Sequence, residues 1–129
     1  MFNKIKNINA DIDALASKDV NSAAVMLWNY HDDDKSGPAE NVNLTIENIP
    51  AKKVVLNIYL IDKENSNSYE VWEKMGSPQN PTKEQITILE KAGQLEKVTV
   101  MKNQLVKQGK LKITTTLAQQ AVVLVKADW

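Results

Sequence analysis

The chain contains no cysteine and no arginine, one histidine, four glycines and seven aromatic residues among its 129 positions. Without cysteine there is no disulfide frame, no thiolate metal site and no cysteine nucleophile. The compartment stays open, since reducing and oxidising environments both tolerate that absence. All 16 basic residues are lysine, and 16 acidic residues balance them. A neutral chain without the bidentate guanidinium fork argues against a nucleic-acid binder. A single histidine excludes multi-histidine metal sites, four scattered glycines exclude a glycine-rich phosphate loop, and no Gly-x-Ser-x-Gly elbow exists. No cofactor is therefore expected. No run approaches the roughly 20 apolar residues needed to span a bilayer. The start, Met1 to Asn9, lacks the apolar block and cleavage site of a secretory signal. The expectation is a soluble chain without a membrane partner, from a cytoplasmic or periplasmic parent.

What is present suits one folded unit over residues 1–129: 43% hydrophobic and 25% charged residues. Strand patterns dominate. Ala23-Ala24-Val25-Met26-Leu27-Trp28-Asn29-Tyr30 is an apolar run of strand length that stops at the turn formers His31 to Pro38. Val42 to Ile49 alternates apolar with polar, and Val54 to Ile61 follows after Pro50-Ala51-Lys52-Lys53, so these two segments read as an antiparallel hairpin. Lys97 to Met101 and Lys110 to Thr115 alternate cleanly. The more continuously apolar Ala121 to Val125 reads as a central strand. Near the start, Ile12, Leu15 and Ala16 share the spacing of one helical turn.

The middle third is helical. Ser66 or Ser68 is expected to cap a short helix through Tyr69, Val71, Trp72 and Met75, with Gly76 as its stop. Ser77-Pro78-Gln79-Asn80-Pro81 forms a rigid link. Thr82-Lys83-Glu84-Gln85 has the spacing of a capping box, Ile86 and Leu89 share a helical face, and Gly93 suits the exit. Together these features predict a mainly β fold, an antiparallel sandwich of immunoglobulin or fibronectin type, with a helical insertion at about residues 66–93.

Chemistry is sparse. Read as a calcium loop, Asp32, Asp34, Ser36, Gly37 and Glu40 fall at ligand or turn positions. The twelfth position, however, is Asn43 instead of a bidentate Glu, and Pro38 and Ala39 fit poorly, so a solvated turn is the plainer reading. A lone His31 beside a strand end is more often structural than catalytic. Glu64, Glu70, Glu73, Glu84, Glu90 and Glu96 fall on expected helix surfaces or turns, and none forms a recognisable catalytic pair. Trp28, Trp72 and Trp129 suit core packing better than sugar stacking. Asn43-Leu44-Thr45 matches a glycosylation acceptor but sits in an expected strand.

Longer strings carry more. Val25-Met26-Leu27-Trp28-Asn29-Tyr30-His31-Asp32-Asp33-Asp34 is followed by Gly37-Pro38. A second block runs from Tyr59-Leu60-Ile61-Asp62 through Asn65-Ser66-Asn67-Ser68-Tyr69, Val71-Trp72, Met75-Gly76-Ser77-Pro78-Gln79 and Pro81-Thr82 to Leu89-Glu90-Lys91-Ala92-Gly93-Gln94-Leu95. Together with Asp13 to Asp19, these blocks resemble the accessory β-domain of family 39 glycoside hydrolases, the β-xylosidases. The likeness spans about residues 10–125 and is one of pattern only beyond Lys97. It departs at Asn65, where the family commonly has His, and before Asp11, where the segment is short and polar. A weaker form of the second block occurs in the α-L-iduronidases of the same family.

The resemblance implies a C-terminal, non-catalytic region of a retaining enzyme that releases xylose. In that family a barrel, needing about 250 residues, supplies both catalytic Glu residues. No catalytic residue carries over to this chain, which alone should be inactive. The implied partner is a catalytic barrel of the same or another polypeptide. His31, Asp32, Ser66, Asn67, Trp72, Met75, Gly76, Ser77, Pro78 and Gln79 are the candidate barrel or subunit interface; the plainer reading is that these residues cap and pack the helices. The alternative function is a stand-alone carbohydrate-binding module for xylo-oligosaccharides, with Trp28 or Tyr30 flat and exposed on a sheet face.

Overall fold

A computed structural model of the chain describes residues 11–32 and 37–129. Seven strands and two helices follow in the order β1 (Ile12–Lys18), β2 (Ser22–Asn29), β3 (Glu40–Ile46), β4 (Lys53–Ile61), α1 (Ser68–Lys74), α2 (Lys83–Ala92), β5 (Glu96–Leu105), β6 (Leu111–Leu117) and β7 (Val122–Asp128). Five strands form one antiparallel sheet in the order β1-β2-β7-β4-β5, and β3 and β6 form a second. The antiparallel sandwich with a helical insertion between β4 and β5 is as the sequence predicts.

Period-two alternation builds the core. In β2, Ala23, Val25 and Leu27 turn inward, and in β7 Val123, Val125 and Ala127 do the same. The register Val25↔Val125 and Leu27↔Val123 sets these side chains next to one another, while Val54 and Leu56 extend the layer on β4. Leu44, Leu111, Ile113 and Leu117 face them from the second sheet. Each fully buried Leu or Val contributes about 1.5–3 kcal/mol. β7 lies between β2 and β4, the central place its apolar run implied.

Two local expectations are corrected. Residues 12–16 are strand rather than a helical turn: Ile12, Ala14 and Ala16 face the core, Asp13, Leu15 and Ser17 face away, and β1 pairs β2 from Ile12↔Asn29 to Lys18↔Ala23. Small alanines on the inner face weaken the period-two signal that would reveal it. β3 and β4 are not a hairpin. β3 pairs β6, and β4 pairs β5 and β7. The connection between them changes sheets, with Asn48 at φ 60°, Ile49 buried, and the Ile49 N–H donating to Gly109 O at 3.0 Å. A buried side chain in the connection anchors it between the layers, so the strands on either side part company.

The second sheet has a polar outer face. Thr114 donates to Asn43 Oδ1 at 2.9 Å and Thr116 to Asn41 Oδ1 at 2.8 Å, cross-strand pairs that link β6 to β3.

Candidate functional site

Antiparallel pairing gathers one set of strand ends at one end of the sandwich. The register brings together the start of β1, the end of β2, the start of β7, the end of β4 and the start of β5. Both blocks of candidate residues leave the large sheet there: His31 and Asp32 after β2, and the helical insertion between β4 and β5. The fold thus carries all ten candidates on one end, although residues 33–36, with the acidic remainder of the calcium-loop reading, lie outside the described residues. Among the described residues no three His, Asp or Glu side chains converge to hold a metal.

On the β2 side the hub is Asn29, the one buried polar residue among the described residues. Its Nδ2 donates to Leu117 O at 3.3 Å, and its Oδ1 lies 3.0 Å from His31 Nε2. With the amide nitrogen committed to a carbonyl, Oδ1 must accept, so this network assigns the His31 proton to Nε2. Asp11 Oδ2 lies 3.8 Å from the same nitrogen. Gln120 closes the turn: its Nε2 donates to His31 O at 2.6 Å and its Oε1 accepts from His31 N at 3.3 Å. These contacts fix His31 in place at the strand end. Asp32 interacts with Tyr30: its hydrogen bond to the phenol, then its charge, then burial raise the Tyr30 pKa above the ordinary value. Trp28, Asn29, Tyr30, Gln120, Ala121 and Val122 line a shallow hollow of about 200 Å³.

On the other side, Asp62 organises the exit from β4. Burial works to raise its pKa, but the side-chain amide of Asn65 and the N–H groups of Glu64 and Asn65 all donate to Oδ1, and the balance lowers it. Asn65, the residue that departs from the family pattern, is therefore bound into this turn. Ser66, at φ 55°, bridges the insertion: Oγ donates to Leu60 O and accepts from Glu96 N, each at 2.7 Å. It ties the end of β4 to the start of β5 and does not cap the helix. Neither does Ser68. The N-cap of α1 is Asn67, whose Oδ1 accepts from Glu70 N at 3.1 Å while Nδ2 donates to Asp62 O at 3.0 Å.

α1 ends as its glycine implied. Gly76 sits at φ 89° and Ser77 at φ 52°, with the Ser77 N–H returning to Trp72 O at 3.1 Å. Trp72 Nε1 donates to Pro78 O at 3.0 Å, which fastens the rigid link to the helix. Thr82 and Gln85 form the expected capping box of α2. Met75 is half-buried and Gln79 is exposed. Most of the candidate residues here have an intramolecular contact that holds the insertion in shape.

The insertion nonetheless has no core of its own: neither helix has a single fully buried residue. Helices of 7 and 10 residues are too short to stand on propensity and depend on burying an apolar face. Here Ile86 is 43% exposed, Ile88 51% and Leu95 50%. Val71, Ile88, Ala92 and Leu95 instead floor an open groove of about 670 Å³, rimmed by Glu64, Lys91 and Glu96. Residues 62–96 carry seven acidic side chains against four lysines, so this end of a neutral protein is acidic.

Sequence reasoning missed Asn29, Asp62 and the groove. Asn29 was legible as a polar residue in phase with the inward Val25 and Leu27. Asp62 precedes Asn65 at the spacing of a side-chain-closed turn.

Comparison with known proteins decides the family. Residues 1–110 match the model of the glycosyl hydrolases family 39. The chain belongs to family 39. Three solved structures share the fold of this domain. An enzyme from Xanthomonas axonopodis pv. citri superposes with a TM-score of 0.77 at 17% identity, over 89% of this chain and 25% of its own. A bacterial orthologue of human α-L-iduronidase gives 0.73 at 18% identity, over 94% and 23%. A monomeric β-xylosidase from Caulobacter crescentus CB15 gives 0.62 at 18% identity, over 89% and 26%. The family 39 chain thus spans about a quarter of the length of the structures it matches.

Proposed function

We propose that this family 39 chain is a non-catalytic accessory domain of a β-xylosidase, a retaining glycoside hydrolase of xylan degradation, packing through its helical end against a catalytic barrel and stabilising it. One observation carries the reading: an insertion of two helices, fastened at both ends by Asp62, Ser66, Asn67 and Trp72, exposes its apolar residues and an open groove at the end of the sandwich. An ordered scaffold holding unburied apolar side chains suits a surface completed by a partner. The matched structures supply the kind of partner, since about three quarters of each lies outside the shared domain. The ten candidate residues then shape the docking end, some by contact and most by holding the insertion in place.

The test compares a family 39 catalytic barrel from the same genome, expressed with and without this domain. The reading expects a higher melting temperature and longer-lived xylosidase activity with the domain, and none from the domain alone. A barrel indifferent to the domain in both respects would sink it. The carbohydrate-binding alternative draws on the hollow beside Trp28 and Tyr30, where Tyr30 is 59% exposed. Titration with xylo-oligosaccharides that changes neither heat nor tryptophan fluorescence would remove that alternative.

A further inference from the structure

We propose that the outer face of the five-stranded sheet is a dimer interface, joined to the same face of a second copy of this chain about a two-fold axis running along β7. An antiparallel sheet with one face on the core ordinarily presents polar side chains on the other. The second sheet does so, with Asn41, Asn43, Thr114 and Thr116. The large sheet does not. Its register sets Leu15, Met26, Leu124 and Tyr59 side by side in one outward row, and Trp28, Val122 and Ile61 in the next. Leu15 is 63% exposed, Ile61 39% and Met26 37%. Val55 and Val100 extend the apolar area toward the other end of the strands.

Two features select a second copy as the occupant, and the first is charge. On the β1 margin the outward charges are acidic: Asp13, opposite Trp28, and Asp19, whose N–H donates to Ser22 O at 2.8 Å. On β5 they are basic: Lys97, opposite Tyr59 with Nζ 5.5 Å from the ring centroid, and Lys102, two residues past the outward Val100. All four are exposed, and none has an ion pair among the described residues. Lys53, opposite Leu105, adds a charge at the start of β4, while Lys126 and Asp128 neutralise each other on β7 at 3.3 Å. β7 is the middle strand of the five, so a two-fold axis along it, midway between facing copies, lays β1 of each on β5 of the other. Asp13 and Asp19 then meet lysines on both margins, Leu124 meets its own equivalent, and Met26 meets the second copy's Tyr59. The second feature is area. With strands about 4.8 Å apart and same-face side chains about 6.6 Å apart along each strand, the face measures about 20 Å by about 20 Å. Side-chain relief and the margins bring this flat footprint of about 400 Å² near the low end of specific interfaces, roughly 600–1,000 Å² per partner. The helices lie at the end of this face and not on it, so pairing here is independent of barrel docking.

The test is sedimentation equilibrium of the 129-residue chain. Loading from about 2 to about 200 µM brackets the micromolar affinity expected of a small interface. The proposal expects a monomer–dimer equilibrium. Met26→Gln, which keeps the side-chain length, should weaken it at least about tenfold. The variants Asp13→Lys/Asp19→Lys and Lys97→Glu/Lys102→Glu set like charges on both margins, and each alone should dimerise at least about tenfold more weakly. Mixed in equal amounts, they should pair as tightly as the parent or tighter, because each margin then joins lysines to acids. Circular dichroism checks that every variant folds, which exposed substitutions should permit. A chain that stays monomeric across the range would overturn the proposal. So would a dimer indifferent to Met26→Gln, or charge variants that mixing does not rescue, since association would then use another face. A monomeric chain whose Met26→Gln variant binds a family 39 barrel less well would assign the face to the barrel and overturn the proposal too. Self-association is read without the barrel, so failure here and failure of docking are separate results.

Discussion

Replacing Asn29 tests the polar hub at the end of the sandwich. The residue is wholly buried; its backbone bonds to Ala121 and Gln120 survive substitution, but its side chain also bonds Leu117 O and His31 Nε2. In Asn29→Ala the Leu117 carbonyl loses a partner inside the core, a cost of about 1–3 kcal/mol. The half-buried imidazole loses one of its acceptors, and a small void adds to the cost. A total of about 2–4 kcal/mol corresponds to a fall in melting temperature of roughly 8–16 °C for a domain of this size. Asn29→Asp separates hydrogen bonding from volume. Its carboxylate would be buried and would face the Leu117 carbonyl, two effects that outweigh the one hydrogen bond His31 Nε2 can still donate, so its folded pKa rises above the ordinary value near about 4. Only the protonated acid donates to Leu117 O. A raised folded pKa makes the stabilising contribution complete below the unfolded pKa and lost as pH rises through the folded one. Thermal melts from pH 4 to pH 8 should therefore show the Asn29→Asp deficit relative to the parent growing with pH, while the Asn29→Ala deficit stays level over the range. A deficit under about 2 °C in Asn29→Ala, or no pH trend in Asn29→Asp, would refute the assigned network.

Other expectations concern the helical insertion. Ser66→Ala removes both contacts of the hydroxyl and should cost about 1–3 kcal/mol, read as a lower denaturant midpoint, with faster amide exchange in α1 and α2. Asn67→Ala should cost about 0.5–2 kcal/mol by uncapping α1, while Asn67→Ser should recover much of it. Gly76→Ala meets no atom within 4 Å, so its cost of about 1–2 kcal/mol should come from the left-handed backbone alone, and Gly76→Asn should be milder. The depressed Asp62 carboxyl contributes stability above its unfolded pKa and loses it as pH falls through the lower folded value. Denaturation midpoints should thus decline below about pH 4, and Asp62→Asn should flatten that decline.

How far the architecture could be read in advance depended on how strongly each segment declared its period and its caps. Thr82 to Gln85 announced α2 because both halves of a capping box are visible in four letters, and the box forms. β2 and β7 were clear because Val25, Leu27, Val123 and Val125 are large and in phase. β1 was hidden because Ala14 and Ala16 hold its inward positions while Leu15, its largest middle residue, points outward. The pairing of β3 with β6 is non-local, joining residues about 70 apart, whereas adjacent strands invite a hairpin. Ile49 alone signalled otherwise, as an apolar side chain in a connecting segment.

The candidate site was legible as a list but not as a surface. Ser66, Asn67 and Trp72 stood out as a dense string, yet nothing in their order foretold that Ser66 joins two strands or that Trp72 bonds Pro78 O. The groove floored by Val71, Ile88, Ala92 and Leu95 is a property of how two short helices fall beside a strand entry, which periodicity within each helix does not contain.

Amide hydrogen exchange on the helical insertion, with and without the catalytic barrel, tests the central claim most directly. Helices without a buried residue should exchange readily in the isolated domain. With the barrel present, the account predicts at least about tenfold greater protection across α1 and α2, with the β5 to β6 hairpin unchanged; tenfold is about 1.4 kcal/mol of added local stability. Unchanged exchange in both helices, or new protection confined to the 106–110 hairpin at the opposite end, would contradict it.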